Sequence, residues 1–135
     1  MPATEIFVFG SNLLGRHGAG AARKAHEDYA ARYGVGVGPT GRAYAIPTKS
    51  KPTRGNVDAL PLGVIHRHVT NFLDYARANA DLKFLVTRIG CGLAGFKDAE
   101  IAPLFADAPK NVHLPLAWHT ILFGAVLPDR VSFTE

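Results

Sequence analysis

Two stretches of the 135-residue chain are almost bare of side chains where a ligand would need to meet backbone. "GSNLLGRHGAGAA" (10–22) and "IGCGLAGF" (89–96) each follow a short apolar run and each lead into helix-forming sequence. Small residues let main-chain N–H groups approach a ligand closely, and the start of a following helix adds positive potential. That combination suits a phosphate or a diphosphate. No Gly-Lys-Ser/Thr follows, so neither stretch is a Walker A loop, and Gly15, Gly18 and Gly20 miss the spacing of the dinucleotide fingerprint. Tight turns between strands and helices explain single glycines. They explain two such loops on one predicted edge less well.

Several side chains in or near these loops have reactive types. Lys49, in "PTKSKPTR", is a nucleophile when its amine is neutral and a solvated loop cation otherwise. Cys91 needs a base or a positive microenvironment to act as a thiolate. Its place between Gly90 and Gly92 favours a steric role as a small spacer. His17 lies in the first loop, within reach of a phosphate, although an exposed residue without a role is the plainer expectation. His66 and His68, two apart on a helix, do not face each other and make a poor metal pair. No Cys/His array has zinc spacing, and neither metal nor cofactor is expected. Tyr44, Phe96 and Trp118 are of the type that stacks on a base or ribose, with core packing the default.

The elements that must position these residues alternate. "EIFVFG" (5–10) predicts a buried strand and 21–34 a helix capped by Gly34. "VGVGPTG" predicts a turn, "RAYAIPT" (42–48) a second strand, and Asp58 an N-cap with Pro61 in the turn after it. From Leu62 to about Asn79, Ile65, Val69, Phe72, Leu73 and Ala76 share one face of a helix. "KFLVTRIG" predicts a third strand, Asp98 caps a short helix, and "NVHLPLAW" (111–118) predicts a fourth strand. The last 17 residues show no clear period. The alternation predicts an α/β fold with helices on both faces of a sheet. In such a sheet ligands sit outside the carboxyl ends of the strands, where both glycine-rich loops leave.

Composition bounds the rest. A chain of this length suggests one domain over 1–135, and 47 % hydrophobic residues exclude a disordered chain. One cysteine permits no internal disulfide. "MPATEIFVFG" lacks the basic start and apolar core of a leader peptide, and no apolar run nears the roughly 20 residues that span a bilayer. These features predict a soluble, cytoplasmic protein without membrane partners. A net charge of +4 favours anionic partners.

Three motifs, in order, resemble those of macrodomains, the ADP-ribose-binding fold: Gly18-Ala19-Gly20-Ala21-Ala22, Thr48-Lys49, and Ile89-Gly90-Cys91-Gly92-Leu93. The pattern is most similar to the terminal ADP-ribose protein glycohydrolase branch and to short bacterial and phage proteins of that superfamily. The resemblance implies a compact three-layer α/β/α sandwich around a mixed sheet. It implies that Gly18 to Ala22 and Gly90 to Phe96, including Leu93, Ala94 and Gly95, enclose the diphosphate and distal ribose of ADP-ribose. Asn12 would lie near that ribose, and Lys49 matches the lysine that attacks its anomeric carbon. Ala94 stands where that branch carries an acid/base aspartate. The aspartate with which macrodomains usually read adenine is not among the residues before Glu5. The implied functions are binding of ADP-ribose or an ADP-ribosylated substrate with hydrolysis of the ADP-ribosyl bond or, alternatively, binding without turnover. A nucleic-acid binder is the third reading, disfavoured because no basic run carries interleaved aromatics.

Overall fold

The computed structural model describes residues 4–92 and 94–133. It is an α/β fold with five strands and four helices: β1 (Glu5–Asn12), α1 (Gly20–Asp28), β2 (Gly38–Thr40), β3 (Ala43–Lys49), α2 (Leu62–Ala78), β4 (Lys83–Val86), α3 (Asp98–Ile101), β5 (Val112–His113) and α4 (Leu116–Phe123). The sheet order is β2-β3-β1-β4-β5. β1 lies parallel to both β3 and β4, β4 is parallel to β5, and only β2 runs antiparallel. The sheet is therefore mixed.

Alternation along β1 divides the core. Phe7 and Phe9 face one side with Ala43 and Ala45 of β3, and α1 packs there through Ala22 and Ala25. Val8, Tyr44, Ile46, Phe84 and Val86 face the other side, beneath α2 and the segments from α3 to α4. The five apolar positions expected on one face of α2 are all buried. Phe72 is the centre of that layer, its ring 4.9 Å from Tyr44, 5.4 Å from Phe84 and 6.4 Å from Phe105. At the amino edge of the sheet the Asn111 side chain lies within 3.1 Å of the carbonyls of Ala76, Asn79 and Leu82. One amide thereby fastens the end of α2 to the starts of β4 and β5.

Several expectations need correction. α1 stops at Asp28, not at Gly34, because Tyr29 stacks on Phe7 at 4.4 Å and Ala30 turns to φ +59°. Tertiary packing overrides good helix formers there. β2 forms from Gly-Pro-Thr inside the supposed turn; its proline is tolerated because β2 is an edge strand. Asp58 does not cap α2: it sits at φ +63°, and Pro61 occupies the N-cap position. β4 ends at Val86, where the Thr87 hydroxyl donates to the Val8 carbonyl and the chain turns away. Lys97, not Asp98, holds the N-cap position of α3. The fourth predicted strand is only Val112–His113, because Pro115 opens α4 and carries Trp118 into the core as a helical residue. Among the described residues no helix is long and apolar enough to cross a membrane.

Truncating Phe72 to alanine is expected to lower the unfolding free energy by about 3–5 kcal/mol, since the three surrounding rings cannot close the void. Urea denaturation checks this through a lower midpoint at unchanged slope.

Candidate functional site

β1 is flanked by β3 and β4, so three carboxyl ends lie side by side. The chain leaves β1 toward α1 on one face and crosses from β3 to β4 over α2 on the other. Loops therefore diverge at β1, which is where α/β sheets open a crevice. A cleft of ≈ 790 Å³ lies there. It brings together Gly10 to Asn12, Arg16, Gly18 to Ala22, Thr48, Lys49, the 52–54 segment, Thr87 to Gly92, and Ala94. The three motifs named from sequence thus meet in one place.

Individual expectations fare differently. Asn12, Gly18, Ala19, Gly20, Ala21, Ala22, Thr48, Lys49, Gly90, Cys91, Gly92 and Ala94 line the cleft. Gly95 and Phe96 do not: Phe96 packs on the core, and a Cβ on Gly95 would sit 2.9 Å from the Asn56 side chain. Leu93 lies outside the described residues. Tyr44 and Trp118 are buried in the core. His17 is neither exposed nor on the cleft: it is 4 % exposed, its ring meets Phe9 edge-on at 5.4 Å, and Nε2 donates to the Val35 carbonyl at 3.1 Å. Burial lowers its pKa below the ordinary histidine value, which keeps the ring neutral as a brace for the first loop.

The glycines divide into two groups. Gly90 needs its form for the fold: φ is +75°, and a Cβ would approach Ile101 at 3.1 Å. Gly18 and Gly92 meet nothing within 4 Å where a Cβ would stand. Neither internal packing nor a left-handed backbone requires glycine at these two. Both present bare main chain to the cleft. Between them, α1 begins at Gly20 with no side chain capping its first N–H groups. Those donors have no intrahelical partner and face the helix's positive end.

The cleft is electrostatically one-sided. Arg16, Lys49, Arg54 and Arg88 line it, and among the described residues no aspartate or glutamate does. Arg16, Arg54 and Arg88 had no motif to announce them; the available signal was a cation beside each glycine-rich or polar loop. Asp98, the first carboxylate after the second glycine-rich loop, is occupied elsewhere. It receives Arg88 through two bonds of 2.9 and 2.7 Å and the Trp118 indole N–H at 2.7 Å. Glu100 closes the start of α3, accepting from the Lys97 N–H at 2.9 Å.

Lys49 and Asn12 also serve the scaffold. Lys49, 5 % exposed, donates through Nζ to the carbonyls of Thr53 and Gly55 at 2.5 and 2.7 Å. Asn12 accepts from the Arg16 N–H and donates back to the Arg16 carbonyl, closing the turn after β1. Cys91 is half-buried, and its thiol is pushed up to about 12 by burial and by Asp98. It stays protonated at neutral pH, consistent with a spacer rather than a nucleophile.

A smaller cavity of ≈ 430 Å³ shares Gly20, Ala21, Thr87 and Arg88 with the cleft. Its remaining walls are mostly apolar: Phe7, Val86, Pro115, Leu116, Ala117 and Phe133, with Lys24 at one side. Among the described residues no group of three or more His, Cys, Asp or Glu could hold a metal ion.

Comparison of the chain with protein-family models, with curated proteins and with solved structures finds no match. The fold and the cleft are those of a mixed-sheet α/β protein with a cationic, glycine-lined crevice at its carboxyl edge.

Arg88 holds the Asp98 carboxyl below the ordinary carboxylate range, with Trp118 and Cys91 adding to it against the opposing effect of burial. A depressed folded pKa stabilises the protein above the unfolded value of about 3.9, and that contribution is lost as pH falls through the folded value. Asp98→Asn is expected to lower the thermal midpoint at pH 7 and to flatten the loss of stability below about pH 4. Midpoints recorded from neutral to strongly acidic pH check this; two parallel curves would contradict it.

Proposed function

We propose that the chain binds ADP-ribose, or a related ADP-ribosyl or NAD-derived nucleotide, in the carboxyl-edge cleft, as a macrodomain-like binding module. The observation that carries the reading is the pairing of bare backbone with positive charge in a cleft that, among the described residues, no carboxylate lines. Gly18, Gly92 and the uncapped start of α1 border a cleft lined by four cations and, among the described residues, no carboxylate. A dianionic diphosphate matches that arrangement through charge-assisted bonds to N–H groups. The apolar cavity that shares the Gly20–Ala21 wall gives the base end of such a ligand a place to be desolvated.

Binding without turnover is favoured over hydrolysis. General acid/base help contributes typically about 10²–10⁴-fold to such reactions, and Ala94 occupies the position where the resembling branch carries its aspartate. The two scaffold bonds of Lys49 point the same way. A nucleic-acid interface is the weaker reading, since no basic run of the chain carries the interleaved aromatics on which bases would stack.

Calorimetry with ADP-ribose tests the reading. Measurable heat and a raised thermal midpoint are expected, with tighter binding than ribose 5-phosphate or inorganic pyrophosphate; no response at millimolar ADP-ribose would sink it. Gly92→Val places a side chain in open space, so the protein is expected to fold normally and to bind about tenfold or more weakly, as fits the loss of a bond to a charged group. Unchanged affinity would move the site elsewhere. Incubation with ADP-ribosylated protein is expected to release no ADP-ribose. Release by the wild type that disappears in Lys49→Met would restore the hydrolase reading.

A further inference from the structure

We propose that Lys49 is a positioning residue, which holds the 50–58 segment against the cleft so that Arg54 meets the anionic part of the ligand. The inference rests on the anion-binding reading above. The segment is a strap fixed at both ends. Lys49 forms an isolated antiparallel bridge with Ala59, the Ser50 N–H donates to the Asp58 carbonyl at 2.9 Å, and the Leu60 N–H donates to Thr48 at 2.8 Å. Its middle is held to the sheet by the Lys49 side chain. The two carbonyls that Nζ engages belong to Thr53 and Gly55, the residues on either side of Arg54. A buried amine thus sets the backbone around the one strap cation that lines the cleft, while Thr53 Oγ1 donates to Val57 at 2.6 Å and stiffens the turn.

Two independent features agree. Arg54 is exposed and, among the described residues, its guanidinium has no hydrogen-bond or ion-pair partner. Arg88, by contrast, is already neutralised by Asp98. Gly95, absent from the cleft wall, stands at φ +80°, and a Cβ there would also meet the Asn56 side chain at 2.9 Å, so the strap lies close against the second glycine-rich loop. The strap therefore closes one side of the cleft by contact with the opposite loop. An arginine on a loose surface loop is a poor anion ligand because backbone as well as side-chain freedom is lost on binding. Fixing its backbone in advance removes the first of those losses.

A double-mutant cycle decides the matter. Lys49→Met keeps the buried stem and removes the donors; Arg54→Ala removes the cation. Calorimetry with ADP-ribose is expected to show each single change weakening binding about tenfold or more, and the pair weakening it no further than Lys49→Met alone, within about twofold. A lysine that merely stabilises the protein, or touches the ligand itself, would weaken the Arg54→Ala protein as much as the wild type. Multiplying costs, or full affinity in Lys49→Met, would overturn the proposal. Hydrogen exchange without ligand supplies the second arm. Amides of 50–60 are expected to exchange faster in Lys49→Met and unchanged in Arg54→Ala, and unchanged protection in Lys49→Met would also overturn it. Inorganic pyrophosphate separates the two readings. If pyrophosphate binds and ADP-ribose does not, the nucleotide reading falls and the same cycle, run with pyrophosphate, decides the strap. If neither binds, both fall.

Discussion

The site depends on the parallel pairing of β1 with a neighbour on each side. Parallel strands place their carboxyl ends together, and the main-chain groups just beyond them have left the ladder without yet entering a helix. With α1 covering one face and α2 the other, the chain cannot close over that edge. The crevice is what remains where two crossovers part company, and Gly18, Gly92 and the uncapped start of α1 lie along it.

Given that edge, the surrounding side chains do an unexpected share of structural work. Asn12 closes the first turn, His17 pins the first loop to Val35, and Asp98 gathers Arg88, Trp118 and Cys91. These are the residue types from which one would assemble a reaction. Here they hold main chain in position, and the surface they hold out is made of glycine and alanine amides with arginines at the rim. In the proposed function recognition falls to the backbone, and the reactive-looking groups are committed to its support.

How much of this was legible in the sequence follows from what each signal reports. The face of α2 was readable because five apolar residues at helical spacing have one sensible burial, and the glycine-rich loops were readable because their composition has few uses. β2 was hidden: Gly-Pro-Thr has little strand propensity and is paired only because β3 lies beside it. The early end of α1 was hidden for a similar reason, since the stacking of Tyr29 on Phe7 is a contact across the fold. The first turn of α4, Leu116–Trp118, was read as strand and the rest left without a period, because a short apolar run does not distinguish the two. In the cleft, the motif positions converged, whereas Arg16, Arg54 and Arg88 could be assigned only once three separate loops were seen to share one edge.

The amide of Asn111 has a bearing on how such a protein can diversify. Because one side chain ties the end of α2 to the starts of β4 and β5, an inserted residue at that pole would shift three elements together. At the other pole the constraint is local: the two ends of the 50–58 segment are paired with each other, so added length there would move the segment's own turn and leave the strands in register. An insertion should therefore disturb more of the fold at the Asn111 pole than in that segment, and the cleft opens at the second.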